Sequence, residues 1–238
     1  MSRSYPRLHV DQPLALGVGV TFNSQQVHYL QNVMRLDDRG SALVFNGRQG
    51  EWRVDELTLK QKVGSGTVTA KTRDQPKLKG PDLYFAPVKK AGTQFIAAKG
   101  TELGAHSITP VITEFTNTGR VNQERIRAHS IEAAEQCGRL DIPEIGSLTR
   151  LQNILDTWGK TQPLIVADET SAKPNLLETL ASINIEKSPP AFLIGPEGGF
   201  SNTELVFLRD LPFVITIGLG PRILRSETAV VATLTCWQ

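Results

Sequence analysis

Ala191-Phe-Leu-Ile-Gly-Pro-Glu-Gly-Gly-Phe-Ser-Asn-Thr-Glu-Leu205 and Phe213-Val-Ile-Thr-Ile-Gly-Leu-Gly-Pro-Arg-Ile-Leu-Arg-Ser-Glu-Thr-Ala229 are two strand–loop–helix units in succession. Each runs from an apolar stretch through a Gly/Pro loop to a helix-start signal. In the first, Gly195, Gly198 and Gly199 allow sharp turns and close approach to a ligand. Pro196 stiffens the entry, and Ser201-Asn-Thr-Glu204 has capping-box spacing. In the second, Gly218-Leu-Gly-Pro221 follows the strand and Ser226-Glu-Thr-Ala229 opens a final helix. Backbone-rich loops at the ends of buried strands are where an α/β protein holds a small ligand. Neither loop has the GxGxxG dinucleotide spacing or a Walker lysine, which weighs against a phosphate cradle. The bland alternative is a pair of tight turns with no ligand. Glu197 is solvated, hydrogen-bonds a ribose hydroxyl, or helps order the loop. Arg222 and Arg225 either hold an anionic or imide oxygen or form surface salt bridges.

Working outward, the 238-residue chain has length for one large domain or two smaller ones. Hydrophobic residues make up 39% and charged residues 21%, with a formal net charge of +2. That mild basic bias permits a nucleic-acid partner without requiring one, because phosphate binding depends on local Lys/Arg clustering. Two cysteines, Cys137 and Cys236, form no CxxC pair, so a reducing compartment fits. The four histidines lack metal-ligand spacing, and no metal is expected. No apolar run reaches the roughly 18 residues of a membrane span, and the N-terminus lacks a signal-peptide core. No membrane association is expected, and the expected location is cytoplasmic.

Residues 1–73 read as short strands, at 18–22, 41–45, 51–57 and 66–72, punctuated by Asn46-Gly47 and Gly64-Ser-Gly66. One helix interrupts them over 24–36, with Ser24 as its N-cap. The reading is a small β-barrel. Residues 74–81 are polar and Pro/Gly-rich, the composition of a linker. From 82 to 238, strands at 83–88, 107–112 and 164–167 alternate with helices at 91–103 and 122–139. That alternation predicts a parallel sheet covered on both faces. Gly92 and Gly100 count against the first of these helices. Phe45 and Trp52 are read as barrel core rather than base-stacking surfaces.

At Leu193–Ser201 and Leu219–Ala229 the chain resembles the bacterial ribosomal RNA uridine-N3 methyltransferase family, RsmE, of the SPOUT class. Ala133-Ala-Glu-Gln-Cys-Gly-Arg139 and Lys99-Gly-Thr-Glu-Leu-Gly104 extend the match. So do Pro6–Val10, His28–Arg35 and Phe45–Trp52 in the N-terminal half, so the resemblance covers nearly the whole chain in order.

The resemblance implies an α/β fold. Its C-terminal SPOUT trefoil-knot methyltransferase domain, with a parallel sheet, follows a small PUA-like β-barrel that binds RNA. The implied cofactor is S-adenosyl-L-methionine, bent between two walls. One wall is Ile194, Gly195, Pro196, Glu197, Gly198 and Gly199. The other is Gly218, Leu219, Gly220, Pro221, Ile223, Leu224, Thr228 and Ala229. The loop carrying Asp168 and Glu169 would be a third. The implied reaction methylates N3 of a uridine in 16S ribosomal RNA, with Arg225 first and Arg222 second as the groups favouring the imide anion. Arg7, Arg35, Arg48, Arg53, Lys77 and Lys79 would grip the RNA backbone, and the partners would be 16S rRNA or the small ribosomal subunit and a second copy of the chain. A ribose 2′-O methyltransferase of the same class and a non-catalytic RNA-binding assembly factor are the alternatives.

Overall fold

The computed structural model describes residues 5–60, 62–77, 80–159, 161–169, 174–183 and 189–238. Lys79 lies outside them. The chain forms two compact units, Met1–Leu78 with Ala134–Ile142, and Lys79–Ala133 with Pro143–Gln238. The boundary near residue 78 falls inside the polar stretch 74–81. The return of 134–142 to the first unit is not visible in the sequence pattern.

The first unit contains β1 (Arg7–His9), β2 (Gly19–Phe22), α1 (Ser24–His28), a π-helical turn (Tyr29–Val33), β3 (Ala42–Phe45), β4 (Glu51–Lys60) and β5 (Val63–Arg73). These strands make one curled sheet in the order β1-β3-β4-β5-β2, antiparallel except for the β1–β3 pair. Alternation drives it. Val20, Phe22, Val44, Val54 and Val68 point into a core closed by Val27 and Leu30 from the helical segment. Strand β1 escapes a sequence reading because three residues are too few to show a period. The helix cap is Asn23 rather than Ser24. The Asn23 side chain accepts from the Gln26 amide while the Gln26 side chain accepts from the Asn23 amide, a complete capping box.

Arg7 is not on the RNA-facing surface that the sequence reading assigned to it. Its side chain is only 14% exposed, and Nε donates to Glu51 Oε2 at 2.6 Å. Nη1 donates to the carbonyls of Ala134 and Glu135 at 2.9 Å, and Nη2 to that of Arg139 at 3.0 Å. Arg73 Nη1 donates to the Gly138 carbonyl at 2.9 Å. The His9 amide donates to Glu135 Oε1 at 2.9 Å. Below them, Phe45, Ala134 and Leu140 form a small apolar cluster, so Phe45 is buried there and not in the barrel core where the sequence placed it. These interactions account for the return of 134–142 to the first unit.

The second unit contains β6 (Asp82–Phe85), α2 (Lys90–Glu102), β7 (Ser107–Ile112), most of α3 (Gln123–Cys137), β8 (Glu144–Ile145), β9 (Thr149–Arg150), α4 (Leu151–Asp156), β10 (Leu164–Ala167), α5 (Leu176–Ser182), β11 (Ala191–Ile194), α6 (Asn202–Arg209), β12 (Val214–Ile217) and α7 (Ser226–Trp237). The sheet is parallel, ordered β12-β10-β11-β6-β7-β8, with β9 beside β7. Side chains alternate across it. Ile165, Phe192, Ile194 and Ile217 join the core that includes Ile96, Ala97, Leu176, Leu180, Val230 and Leu234. Leu164, Val166, Ala191 and Leu193 join Leu151, Leu155, Leu205 and Leu208 on the other face. Burial of both faces is why the strands read as unbroken apolar runs. Helix α2 runs through Gly92 and Gly100 because both are close-approach points. A Cβ on Gly100 would lie 2.9 Å from Ile108 Cδ1, and one on Gly92 would lie 2.6 Å from Val88 Cγ2.

Replacing Arg7 with methionine removes the closer of two guanidinium partners of a buried carboxylate, leaving Arg73 at 3.7 Å, and also strands three carbonyls; losing a buried partner typically costs about 3–5 kcal/mol. We expect Arg7→Met to lower the unfolding free energy in urea by roughly 3 kcal/mol. A change below about 1 kcal/mol would contradict the clamp.

Candidate functional site

The site begins with strand register. In the parallel sheet β10 lies between β11 and β12, with Val166 opposite both Leu193 and Thr216. The chain runs from β10 to its neighbour β11, then crosses to the far side of β10 for β12. This reversal of strand order is a switch point, and loops leaving the carboxyl ends of the strands diverge there to leave a crevice. The loops after Ala167, Ile194 and Ile217 surround a cleft.

Hydrogen bonds lock the walls together. The Ser226 hydroxyl donates to the Gly195 carbonyl at 2.6 Å, tying the start of α7 to the first loop. The Asp168 amide donates to the Ile217 carbonyl at 2.9 Å, and the Gly218 amide to the Pro174 carbonyl at 3.3 Å. The Gly199 amide closes a tight turn onto the Pro196 carbonyl at 2.9 Å. Gly199 has φ +69°, and a Cβ there would stand 3.1 Å from Glu169 Oε1. At Gly195 the ring of Phe200 packs where a Cβ would sit, 3.0 Å away. The capping box expected at Ser201 forms. The Glu204 amide donates to Ser201 Oγ at 3.1 Å, and the Ser201 amide to Glu204 Oε2 at 3.0 Å. Glu204 Oε1 also accepts from the Glu114 amide at 2.8 Å.

Of the residues expected as cofactor contacts, Ile194, Gly195, Pro196, Gly199, Gly218, Leu219, Gly220, Leu224 and Ala229 line the cleft. Glu197, Gly198, Pro221, Ile223 and Thr228 are exposed and outside the lining, with Ile223 76% exposed. Asp168 and Glu169 line it too, so the carboxylates beside the cleft come from the loop after β10. Asp168 is buried, and its Oδ2 accepts from Arg209 Nη2 at 2.6 Å. The lining also contains Ala167, Phe200, Leu205 and Ser226. The sequence reading missed Ser226 because its hydroxyl acts across 31 residues of chain. Arg222 lines the cleft, whereas Arg225 is exposed at the N-cap of α7 and is not among the lining residues.

The chemical character is an apolar slot, with Leu219, Leu224, Ile194 and Phe200 as walls and loop backbone as the polar component. Such a slot suits a flat heterocycle whose edge is read by amides and carbonyls. The carboxylates can accept hydroxyl protons or face a cation, and Arg222 supplies the opposite charge. Among the described residues, no group of three or more His, Cys, Asp or Glu side chains is placed to hold a metal. Among the described residues, no helix is long and apolar enough to cross a membrane.

In the first unit, Arg35, Arg48 and Lys77 are exposed. Arg48 Nη2 donates to the Asp11 carbonyl at 3.1 Å. Arg53 is 41% exposed at its side chain and pairs with Asp55 at 2.9 Å. Burial would raise the Asp55 carboxyl, but hydrogen bonds from Ser41, Thr69 and Arg53 outweigh it and hold Asp55 below its ordinary value.

Comparison with known proteins identifies the architecture. The profile of the RNA methyltransferase domain family matches residues 77–238. Ribosomal RNA small subunit methyltransferase E of Rickettsia conorii is 30% identical over 237 residues, spanning 97% of this chain and 93% of the relative. The protein of the same name from Bacillus subtilis is 30% identical over 230 residues, spanning 90% and 88%. The crystal structure of ribosomal RNA small subunit methyltransferase E from Neisseria gonorrhoeae, bound to S-adenosyl methionine, has the same fold. Its TM-score is 0.86 at 23% identity, covering 98% of this chain and 96% of that one. With its parallel sheet, its switch-point cleft and a match along almost its full length, this chain belongs to the ribosomal RNA small subunit methyltransferase E family of RNA methyltransferases.

Proposed function

We propose that the protein transfers a methyl group from S-adenosyl-L-methionine to N3 of a uridine in 16S ribosomal RNA. The observation that carries this reading is the cleft at the β10–β11–β12 switch point, in a chain that belongs to this family. Fit to the cofactor rests on three features. The apolar slot between Leu219, Leu224 and Ile194 suits adenine. The Gly199 turn, where a side chain would meet Glu169, leaves room for ribose beside a carboxylate. The Ser226–Gly195 hydrogen bond sets the width between the walls. The cofactor supplies an electrophilic methyl on a sulfonium.

The remaining chemistry falls to the chain. Uracil N3 carries a weakly acidic proton that must leave as the nitrogen attacks. A guanidinium near O2 or O4 lowers the cost of the imide anion, and a fixed cleft holds nitrogen, methyl and sulfur in line. Arg222, on the cleft wall, takes the first position in this role. Arg225, at the start of α7, takes the second. N3 lies on the pairing edge, so the uridine must be unpaired or extruded, which costs a few kcal/mol. Arg35, Arg48, Arg53 and Lys77 of the first unit, read as a PUA-like RNA-binding domain, would hold the flanking backbone. Arg7, committed to Glu51 and three carbonyls, is left out of that set. The protein would act on the small subunit or its RNA in the cytoplasm, as a homodimer, with its second unit forming the trefoil knot of its class. Neither ribose 2′-O methylation nor a non-catalytic assembly role is favoured by any feature of the cleft.

Mass spectrometry of 16S rRNA treated with protein and labelled cofactor should find one methylated uridine at N3. Methylation at a ribose hydroxyl, or none, would refute the reading. Ser226→Ala should weaken S-adenosylmethionine binding about fivefold by calorimetry, the equivalent of one neutral hydrogen bond at ~1 kcal/mol. Gly199→Val should weaken it at least tenfold, since a β-branched residue in that conformation is strained by roughly 1–2 kcal/mol before any clash. Arg222→Ala should lower kcat about a hundredfold while cofactor affinity stays within threefold. If Arg225→Ala is the more damaging change, the two roles are reversed.

A further inference from the structure

We propose that the cleft between the N-terminal ends of α2 and α3 seats a phosphodiester of the substrate RNA strand, one helix away from the methyl-transfer cleft. The proposal rests on the RNA methyltransferase reading and adds a second contact point within the catalytic unit itself. The cleft is an open surface depression walled by Val88, Thr93, Gln94, Val121 and Ile126, a shape that an extended backbone can lie along. Lys90, Arg120 and Arg125 line it, and no carboxylate does. In a chain whose formal net charge is only +2, three cations around one depression is the local clustering that phosphate binding requires.

These charges are not neutralised. Among the described residues, no carboxylate forms an ion pair with Lys90, Arg120 or Arg125. The partner of Arg125 is an amide. In its hydrogen-bonding orientation, the Gln94 carbonyl accepts from Arg125 Nη2 at 3.1 Å and from His129 Nε2 at 3.3 Å. A neutral acceptor fixes the guanidinium in place without cancelling its charge. Helix α2 adds to the field. It is 13 residues long, Lys89 at its N-cap makes no side-chain cap, and its first turn has no acidic residue. Its first turn therefore carries neither a carboxylate nor a capping oxygen of its own, and its free amides favour an anion, with the Glu227 carboxylate of α7 standing on the Gly92 side of the turn. Asn122 caps α3 by accepting from the Arg125 amide at 2.9 Å, which sets where Arg125 leaves the helix. The acidic residue of that turn, Glu124, is exposed and outside the cleft lining.

Position gives the cleft its function. The loops after β6 and β7, which supply Val88 and Arg120, leave the same carboxyl edge of the parallel sheet as the loops around the methyl-transfer cleft. Gly92, between Lys90 and Thr93, packs against Glu227 in the first turn of α7, where a Cβ would lie 2.7 Å from Glu227 Oε1. Ser226, next in sequence to Glu227, lines the methyl-transfer cleft. A strand whose uridine is extruded into one cleft therefore has its neighbouring backbone beside the other. Anchoring that backbone offsets part of the cost of unstacking.

The test uses the full chain and compares the wild type with Arg120→Gln, Lys90→Gln and Arg125→Gln. Calorimetry with S-adenosylmethionine, thermal unfolding and methylation of small ribosomal subunits are measured for each across a salt series. We expect unchanged cofactor affinity and a KM for RNA raised at least fivefold in each variant. The double variant Lys90→Gln/Arg120→Gln should flatten the slope of log affinity against log salt by about 1.4, or roughly 0.7 per lost single-strand contact. Arg120 and Lys90 are exposed, so these two variants remain informative if Arg125→Gln is unstable. Wild-type KM and salt slope in the double variant would overturn the proposal. So would a loss confined to inhibition by added inorganic phosphate, which would mark a free-anion site. A wild-type protein that binds no cofactor and methylates no RNA would instead overturn the functional reading.

Discussion

Strand β10 lies in the middle of a parallel sheet, paired on one side with β11 and on the other with β12, and the rest of the catalytic unit depends on that placement. Parallel pairing sends the carboxyl ends of all three strands to one edge. The crossing from β11 to β12 separates the loops around a crevice instead of packing them together. Ile165 and Phe192 are buried on one face, Val166 and Leu193 on the other. Each large side chain so buried stabilises the sheet by roughly 1.5–3 kcal/mol. That rigidity lets loops rich in glycine hold one shape. The Ser226–Gly195 hydrogen bond and the Pro196–Gly199 turn then refine a cleft whose position the strands have already set.

The two glycines of α2 follow from the same close packing. By propensity each costs the helix about 1 kcal/mol relative to alanine. Gly100 lets the helix lie on Ile108 and Leu83, and Gly92 lets it meet Val88 and Glu227. The second contact positions the first turn of α7, and so the residues that end the second loop. Residues that look like defects in an isolated helix are what bring α2 close to the machinery beside it.

The first unit depends on one buried ion pair. Arg7 and Glu51 are nearly enclosed, and the remaining donors of Arg7 are used on carbonyls at the end of α3 and just beyond it. A guanidinium can satisfy several carbonyls and a carboxylate at once because its donors are fixed in a planar fork. This interaction takes Arg7 away from any nucleic-acid surface, and it holds 134–142 with a unit that is otherwise the first 78 residues.

The sequence alone determined the classes of element and where the loops fall. Alternation at 18–22 and 51–57, unbroken apolar runs at 164–167 and 191–194, and the capping box at Ser201 are local signals, written within a few residues and set by backbone geometry. The strands of the catalytic unit were legible for that reason, whereas the cleft-lining loop residues were named from the resemblance to a known family. The three-residue strand β1 carried too little pattern, and Asn23 and Ser24 are both competent caps until the turn is seen. Only the tertiary structure decided which charges are available. Arg7 and Arg222 are equally basic in sequence, yet one is consumed by Glu51 and three carbonyls and the other lines the cleft. Ser226 and Gly195 meet across 31 residues of chain, and Lys90 of α2 meets Arg120 and Arg125 from the loop before α3 and its first turn. No local signal specifies such encounters, because they depend on the order in which parallel strands take their places in the sheet.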